Sequence, residues 1–297
     1  MKTGFIAIVG RPNVGKSTLL NALVGEKIAI VSKKPQTTRN RITGILTRGE
    51  NQFVFMDTPG MHKPKTKLGD YMVKSIHGTL NSVDAAILVV DPEYAPSSVE
   101  ENLIKRFISS KIPAILVINK IDSSNANKVG DCILAYSKLC NFESVIPISA
   151  LKSEGVDIVL DEAEKLLTEG EWMFSEDDLT DQPERKIASE IIREKLLRLM
   201  DDEIPHGTAV VIEEFKEKKD LLSVRAEIYC EREGHKRIII GHKGETIKKI
   251  GSYAREDMEK FFGVKVFLDL WIKVKENWRD SEIMVMNVGY DSKKDME

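Results

Sequence analysis

The residues from Gly10 to Ser17 read GRPNVGKS and follow the apolar run FIAIV. They match G-x-x-x-x-G-K-[ST] in the strand-to-helix setting that this pattern requires. Gly10 and Gly15 allow the backbone to turn its N–H groups inward around a phosphate. Lys16 would reach the β and γ oxygens, and Ser17 would ligate Mg²⁺. A helix starting near Ser17 adds the positive end of its dipole to the same place. The chemistry implied is that of a nucleoside triphosphate. The loop alone does not separate GTPases from ATPases or kinases.

Three later segments narrow the choice, each at the end of an apolar run. DTPG at Asp57–Gly60 follows FVFM, which places Asp57 where a carboxylate can hold Mg²⁺ through water and Gly60 where a backbone N–H can meet the γ-phosphate. NKID at Asn119–Asp122 follows PAILVI. The Asp122 carboxylate matches the ring N–H and exocyclic amine of guanine, a donor pair that adenine lacks. Lys120 can lay its stem over the base, and Asn119 can tie this loop to the phosphate loop. SAL at Ser149–Leu151 follows VIPI and could present backbone N–H groups to the guanine carbonyl.

These residues must be carried by something. Up to about Thr168, short apolar runs (FIAIV, Ile42 to Thr47, QFVFMD, AAILVVD, PAILVIN, VIPIS) alternate with helical stretches at Ser17–Val24, Leu68–Ser82, Ser98–Ser110 and Val156–Leu167. Continuous aliphatic runs are the mark of strands buried on both faces, and the alternation predicts a mostly parallel sheet with helices on both sides. In such sheets ligands sit at the carboxyl ends of the strands, where all four motifs fall.

The 297 residues suit about two domains. The longest apolar runs fall far short of the roughly 20 residues that span a bilayer, and the N-terminus runs directly into the phosphate loop, so no transmembrane segment is expected. Three scattered cysteines, Cys132, Cys140 and Cys230, fit neither a disulfide framework nor a zinc site. A net charge of −3 excludes a protein that coats nucleic acid nonspecifically, so any such contact needs a local basic patch.

Composition changes near Glu169. EGEWMFSEDDLTDQPER is acidic and polar and reads as a connector. Residues 1–170 form the expected first domain, 171–183 a linker, and 184–297 a second domain with a C-terminal tail. In the latter, a helix ending before Pro205 is followed by strands TAVVIEEFKE and LLSVRAEIYCER, a short apolar turn KRIIIGHKG, a helix from about Glu245 to Phe262 and a strand VKVFLDLWIKV. The order is α-β-β-α-α-β. GHKG at Gly241–Gly244 lets a backbone approach sugar-phosphate closely. Lys236, Arg237, Lys243, Lys248 and Lys249 surround it in sequence. Ile238–Ile240 and Ile247 read chiefly as packing residues. The polar tail from Ser281 receives no role.

GRPNVGKS, DTPG, NKID and SAL in this order resemble the translation-factor-related GTPases, and KKPQTTRNRI from Lys33 is similar to switch I of the Era branch. GHKGETIKKIG resembles a type II KH domain, and TDQPER and VKENWRD also look like Era. The resemblance covers nearly the whole chain. It implies an α/β P-loop GTPase domain with a mostly parallel sheet, followed by a smaller α+β type II KH RNA-binding domain. It implies a GTPase, hydrolysing GTP to GDP with Mg²⁺, with Lys16, Thr38 and Gly60 at the reacting end. Nucleotide contacts are implied at Gly10, Asn13, Val14, Gly15, Lys16, Ser17, Thr18, Asn119, Lys120, Asp122, Ser149, Ala150 and Leu151. Mg²⁺ ligands are implied at Ser17, Thr38 and Asp57, with Thr37 as the neighbouring candidate for the switch I position. Asn13 matches a position that coordinates K⁺ in several relatives. Met61 stands where Ras-like enzymes carry a water-orienting glutamine, which implies slow turnover.

RNA contacts are implied at Gly241, His242, Lys243 and Gly244. The partners implied are small-subunit ribosomal RNA near its 3′ end and the 30S-type subunit, whose maturation the protein would assist. The resemblance further implies a cytoplasmic monomer with peripheral contact at the inner face of the membrane. Two other readings compete. A P-loop kinase is disfavoured by NKID and by the lack of an arginine-rich lid, and a GTPase of tRNA modification or large-subunit assembly lacks a GxxG module in this position.

Overall fold

The computed structural model describes residues 1–61 and 64–291. The chain folds into two units, the first built on Met1–Pro64 with Gly69–Asp181, the second on Lys65–Leu68 with Gln182–Asp291.

In the first unit a sheet runs in the order β2 (Ile42–Arg48), β3 (Asn51–Asp57), β1 (Lys2–Val9), β4 (Ala85–Val90), β5 (Ala114–Ile118), β6 (Ser144–Pro147). β1 pairs parallel with β3 and β4, and β5 pairs parallel with β4 and β6. β2 is antiparallel to β3. A two-residue strand β7 (Thr168–Glu169), which has no periodicity to betray it, pairs antiparallel with the start of β1.

The unbroken apolar strands serve two cores. Ala85, Ile87 and Val89 of β4 pack with Leu19, Leu20 and Leu23 of α1 (Lys16–Val24) and with Val159 and Ala163 of α5 (Val156–Glu164). Their neighbours Ala86, Leu88 and Val90 pack with Ile76 of α2 (Lys67–Leu80), Phe107 of α3 (Ser98–Ser110) and Tyr136 of α4 (Ala126–Ser137). Side chains alternate across a strand, so a strand buried on both faces loses its polar half. α4 escaped the sequence reading because its residues Asn127, Lys128, Gly130 and Asp131 dilute the apolar stripe, which reduces to Cys132 and Tyr136 as its fully buried members.

Segment 171–181 runs back along the first unit. The Trp172 indole donates to the Glu50 carbonyl at 3.1 Å, and the Met173 and Phe174 N–H groups donate to Gln52 Oε1 at 2.9 and 3.1 Å. The Thr180 hydroxyl donates to the Thr43 carbonyl at 2.7 Å and Ile45 N–H donates to the Leu179 carbonyl at 2.9 Å.

The second unit holds a sheet β10 (Lys265–Val274), β9 (Leu221–Cys230), β8 (Ala209–Lys218), with β10 parallel and β8 antiparallel to β9. One face is covered by α6 (Glu184–Leu199), α7 (Glu233–Ile240) and α8 (Glu245–Phe262): Ile192, Ile239, Ile250 and Met258 meet Val224, Ala226 and Ile228. The segment read as a short apolar turn is the helix α7. Its Ile238, read as packing, is 53% exposed, whereas Ile239 is fully buried, because one residue of helix rotates a side chain by about 100°. The segment after Ser281, read as a polar tail without a role, folds as a short helix α9 (Glu282–Asn287) with Val285, Val288 and Tyr290 buried. Tyr290 stacks on the buried Trp278, whose indole donates to the Gly207 carbonyl at 2.9 Å. Residues 292–297 of that tail lie outside the described residues.

Candidate functional site

The parallel register aligns the carboxyl ends of β1, β3, β4, β5 and β6, and with them Gly10, Asp57, Asp91, Asn119 and Ser149. Between β1 and α1, Gly15 holds a left-handed conformation (φ 100), and a Cβ there would stand 2.2 Å from Asn119 Nδ2. No larger residue fits this turn. Val14 is buried, its carbonyl accepting Asn119 Nδ2 at 2.8 Å, and Thr18 lies in the first turn of α1. Asn13 (φ 63) donates its side-chain amide to the Lys33 carbonyl at 3.1 Å.

Lys16 is buried, and its ammonium donates to the carbonyls of Gly10 at 3.3 Å and Arg11 at 2.9 Å. Burial lowers it to about 8 against the opposing pull of the Asp57 charge. Gly60 lies against Pro12, and the Met61 N–H donates to the Gly10 carbonyl at 3.2 Å, so the end of DTPG abuts the phosphate loop. The Met61 side chain packs on the apolar cluster of α2, α3 and α4.

Three oxygens converge beside Lys16. Ser17 Oγ donates to Asp57 Oδ2 at 2.5 Å and lies 2.7 Å from Thr38 Oγ1, which donates to the same Asp57 oxygen at 3.4 Å. Thr37 is turned elsewhere, its hydroxyl donating to the Lys34 carbonyl at 2.6 Å. Asp57 is fully buried and its Oδ1 accepts no hydrogen bond. Its carboxyl is raised to about 6 by burial, which outweighs the charge of Lys16 and the hydroxyls of Ser17 and Thr38. A buried carboxylate oxygen with no donor, beside two hydroxyls, is a donor set for a hard cation, and Mg²⁺ takes such oxygen ligands.

At the base end, Asn119 bridges two loops, donating to Val14 and accepting the Ala150 N–H at 2.9 Å. Asp122 is exposed and its Oδ1 accepts the Ser149 hydroxyl at 2.7 Å. Lys120 (φ 68) donates to Asp91 Oδ2 at 2.8 Å. Leu151, by contrast, is 77% exposed.

Two participants were missed in the sequence. Asp91 follows AAILVV at a strand end, the position that marks ligand-side residues in such sheets. Glu100 forms S-x-x-E with Ser97. This buried carboxylate accepts the Ser97 N–H at 2.9 Å and the Arg11 guanidinium at 2.9 Å, which braces the phosphate loop against α3.

In the second unit, GHKG joins α7 to α8, with Gly241 at φ 75, Lys243 at φ 48 and Gly244 at φ 82. A Cβ on Gly241 would stand 2.1 Å from Thr246 Oγ1, whereas one on Gly244 would meet nothing within 4 Å. His242 and Lys243 are exposed, as are Arg237, Lys248 and Lys249, and Lys236 is half-buried. The 18 residues of α8 begin directly after the loop, so its first N–H groups add to this cationic face.

A family model described as "50S ribosome-binding GTPase" matches residues 5–120, and one described as "KH domain" matches residues 203–279. GTPase Era of Ruminiclostridium cellulolyticum is 50% identical over 294 residues, 99% of this chain and 99% of that one. The chain belongs to the GTPase Era family. The Era of Clostridium kluyveri is 48% identical over 291 residues, 98% of this chain and 99% of that one. A crystal structure of an Aquifex aeolicus Era variant bound to GDP.AlF4⁻ superposes with TM-score 0.93 at 41% identity, covering 98% of this chain and 99% of that one. An Era complex with MgGDPNP and nucleotides 1506–1542 of 16S ribosomal RNA gives 0.93 at 40% identity, with the same coverage. The Era architecture, a GTPase domain with a mostly parallel sheet followed by a KH domain, is that of this chain.

Proposed function

We propose that this chain is a GTP-controlled RNA-binding switch that engages small-subunit ribosomal RNA near its 3′ end and assists maturation of the 30S-type subunit. The observation that carries the reading is the meeting of the Ser17 and Thr38 hydroxyls on one oxygen of the buried Asp57 carboxylate, whose other oxygen has no donor. One of the three lies in the phosphate loop, one in the switch I segment and one at the end of β3. A switch needs that arrangement, because nucleotide and Mg²⁺ then order a segment which the loss of phosphate releases.

In this reading Ser17, Thr38 and Asp57 would hold Mg²⁺, which neutralises charge on the phosphates when bound. Lys16 exchanges its loop carbonyls for β and γ oxygens, Gly60 presents its N–H to the γ-phosphate, and Asp122 reads guanine. Thr38 rather than Thr37 takes the switch I role, on the strength of its contact with Ser17. Met61, packed on the apolar cluster, supplies nothing to orient water. With no such group and no arginine finger assigned among the described residues, we expect intrinsic turnover on the order of 10⁻⁴–10⁻² s⁻¹. Asn13 is our candidate K⁺ contact, which equal turnover in sodium and potassium would rule out.

The domain limits we adopt are 1–170 and 184–297, with 171–183 between them. RNA binding is assigned to the GHKG loop and its cationic surroundings, supported by the complex that a structural relative forms with 16S ribosomal RNA. On the family resemblance we place the protein in the cytoplasm as a monomer, with peripheral contact at the inner face of the membrane. No helix among the described residues is long and apolar enough to cross a membrane.

The test is binding of a single-stranded RNA from the small-subunit 3′ end, titrated with a GTP analogue, GDP or no nucleotide across a range of salt. Affinity should depend on nucleotide and fall with salt at a log–log slope of about −0.7 per phosphate contacted. Gly244→Asp, which places a carboxylate where phosphate would approach, meeting no neighbouring atom but straining a left-handed backbone (φ 82), should abolish binding while leaving GDP binding intact. Affinity indifferent to nucleotide would remove the switch.

A further inference from the structure

The segment after β4 builds a second layer behind the base-recognition loop. Asp91 is 5% exposed; its Oδ1 accepts the Glu93 N–H at 3.0 Å and its Oδ2 accepts the Lys120 ammonium at 2.8 Å. Glu93 reaches the same region, accepting the Ser124 hydroxyl at 2.9 Å and pairing with Lys128. The backbone of the NKID loop is held independently: the Asn119 N–H donates to the Val90 carbonyl at 2.8 Å and the Ile121 N–H to the Ile148 carbonyl at 3.2 Å. Lys120 is therefore fixed at both ends. Its backbone is pinned at the end of β5 and its ammonium at the end of β4, with the methylene stem stretched between them.

A lysine stem is among the most mobile of side chains, and laying it against a ring costs the freedom it loses. A contact whose ordering cost is met before the ligand arrives binds more tightly. We propose that Asp91 is a positioning residue for guanine recognition: by holding the Lys120 ammonium it pre-organises the methylene stem as the apolar platform for one face of the purine. The inference rests on the reading of NKID as the guanine site. Asp91 acts at the base, far along the nucleotide from the γ-phosphate. Its effect therefore falls equally on GDP and GTP, and on KM rather than on the single-turnover rate.

Asp91→Asn separates the two bonds of this carboxylate, since an amide oxygen still accepts the Glu93 N–H while the charge facing Lys120 is lost. In the full-length chain, release of a fluorescent GDP should accelerate about tenfold, the scale of one weakened charged hydrogen bond. KM for GTP should rise by the same factor, with the single-turnover rate unchanged. In a Lys120→Met background, which keeps an apolar stem and removes the ammonium, Asp91→Asn should add nothing, because the pair acts as one unit. Release from D91N at the wild-type rate would overturn the inference, as would equal acceleration in both backgrounds, which would mark Asp91 as merely structural. A wild-type chain that fails to retain GDP would overturn the site reading itself, and this inference with it.

Discussion

Asn119 lies so close over Gly15 that a Cβ built on the glycine would stand 2.2 Å from the asparagine amide nitrogen. The base-recognition loop and the phosphate loop thus touch at a point where only a hydrogen fits. Gly15→Ala should displace Asn119 from both the Val14 carbonyl and the Ala150 N–H, besides straining a left-handed backbone. We expect a stability loss of about 1–3 kcal/mol and loss of GDP retention, checked by thermal unfolding and fluorescent-GDP binding.

Asp122 accepts from Ser149 through one carboxylate oxygen, and in the proposed function the carboxylate reads guanine. Asp122→Asn replaces an acceptor with an amide that can turn a donor toward two guanine donors. GDP affinity should fall by between about 10- and 100-fold, the range for a lost charged hydrogen bond. Competition between GDP and IDP, which lacks the exocyclic amine, should show the guanine preference of the wild type shrinking in the variant.

Asp57 carries a pH signature in the nucleotide-free protein. Its carboxyl is raised from 3.8 to about 6, chiefly by burial. Between those values the folded chain binds a proton that the unfolded chain has released, so this group's contribution is complete below pH 3.8 and is lost as pH rises through about 6. Asp57→Asn lacks that titration. The stability of the wild type relative to D57N should decline by about 1–3 kcal/mol between pH 4.5 and 7, measured by denaturant unfolding without nucleotide or Mg²⁺. A flat difference would show that burial does not govern this carboxyl.

Trp278 is fully buried, hydrogen-bonded to the Gly207 carbonyl and stacked on Tyr290. The C-terminal segment is therefore part of the second unit's packing. Trp278→Ala should cost about 3–5 kcal/mol. The loss should appear as reduced amide protection in residues 184–290 and weakened RNA binding, with GDP binding retained.

How much of this was legible in advance depended on how local each cause is. GRPNVGKS, DTPG, NKID and GHKG state their chemistry in consecutive residues, since a loop that wraps a phosphate or meets a base edge is built from its own backbone and side chains. The apolar strands were legible for a similar reason, because burial on both faces removes polar residues from one continuous run. Thus the sequence by itself determined the long apolar strands, the nucleotide motifs and the succession of a GTPase module and a KH module, but not α4, β7, α7 or α9. The tertiary structure alone showed that the Thr38 hydroxyl meets Ser17 and Asp57 while that of Thr37 turns to the Lys34 carbonyl, because the two differ only in which way a loop turns them. It alone revealed the hold of Asp91 on Lys120, which joins residues 29 positions apart that follow the ends of two strands, and the seat of Trp278 under Gly207, 71 positions away. Such contacts arise when distant segments close on one another, and nothing in the local pattern of either segment records the partner it will meet.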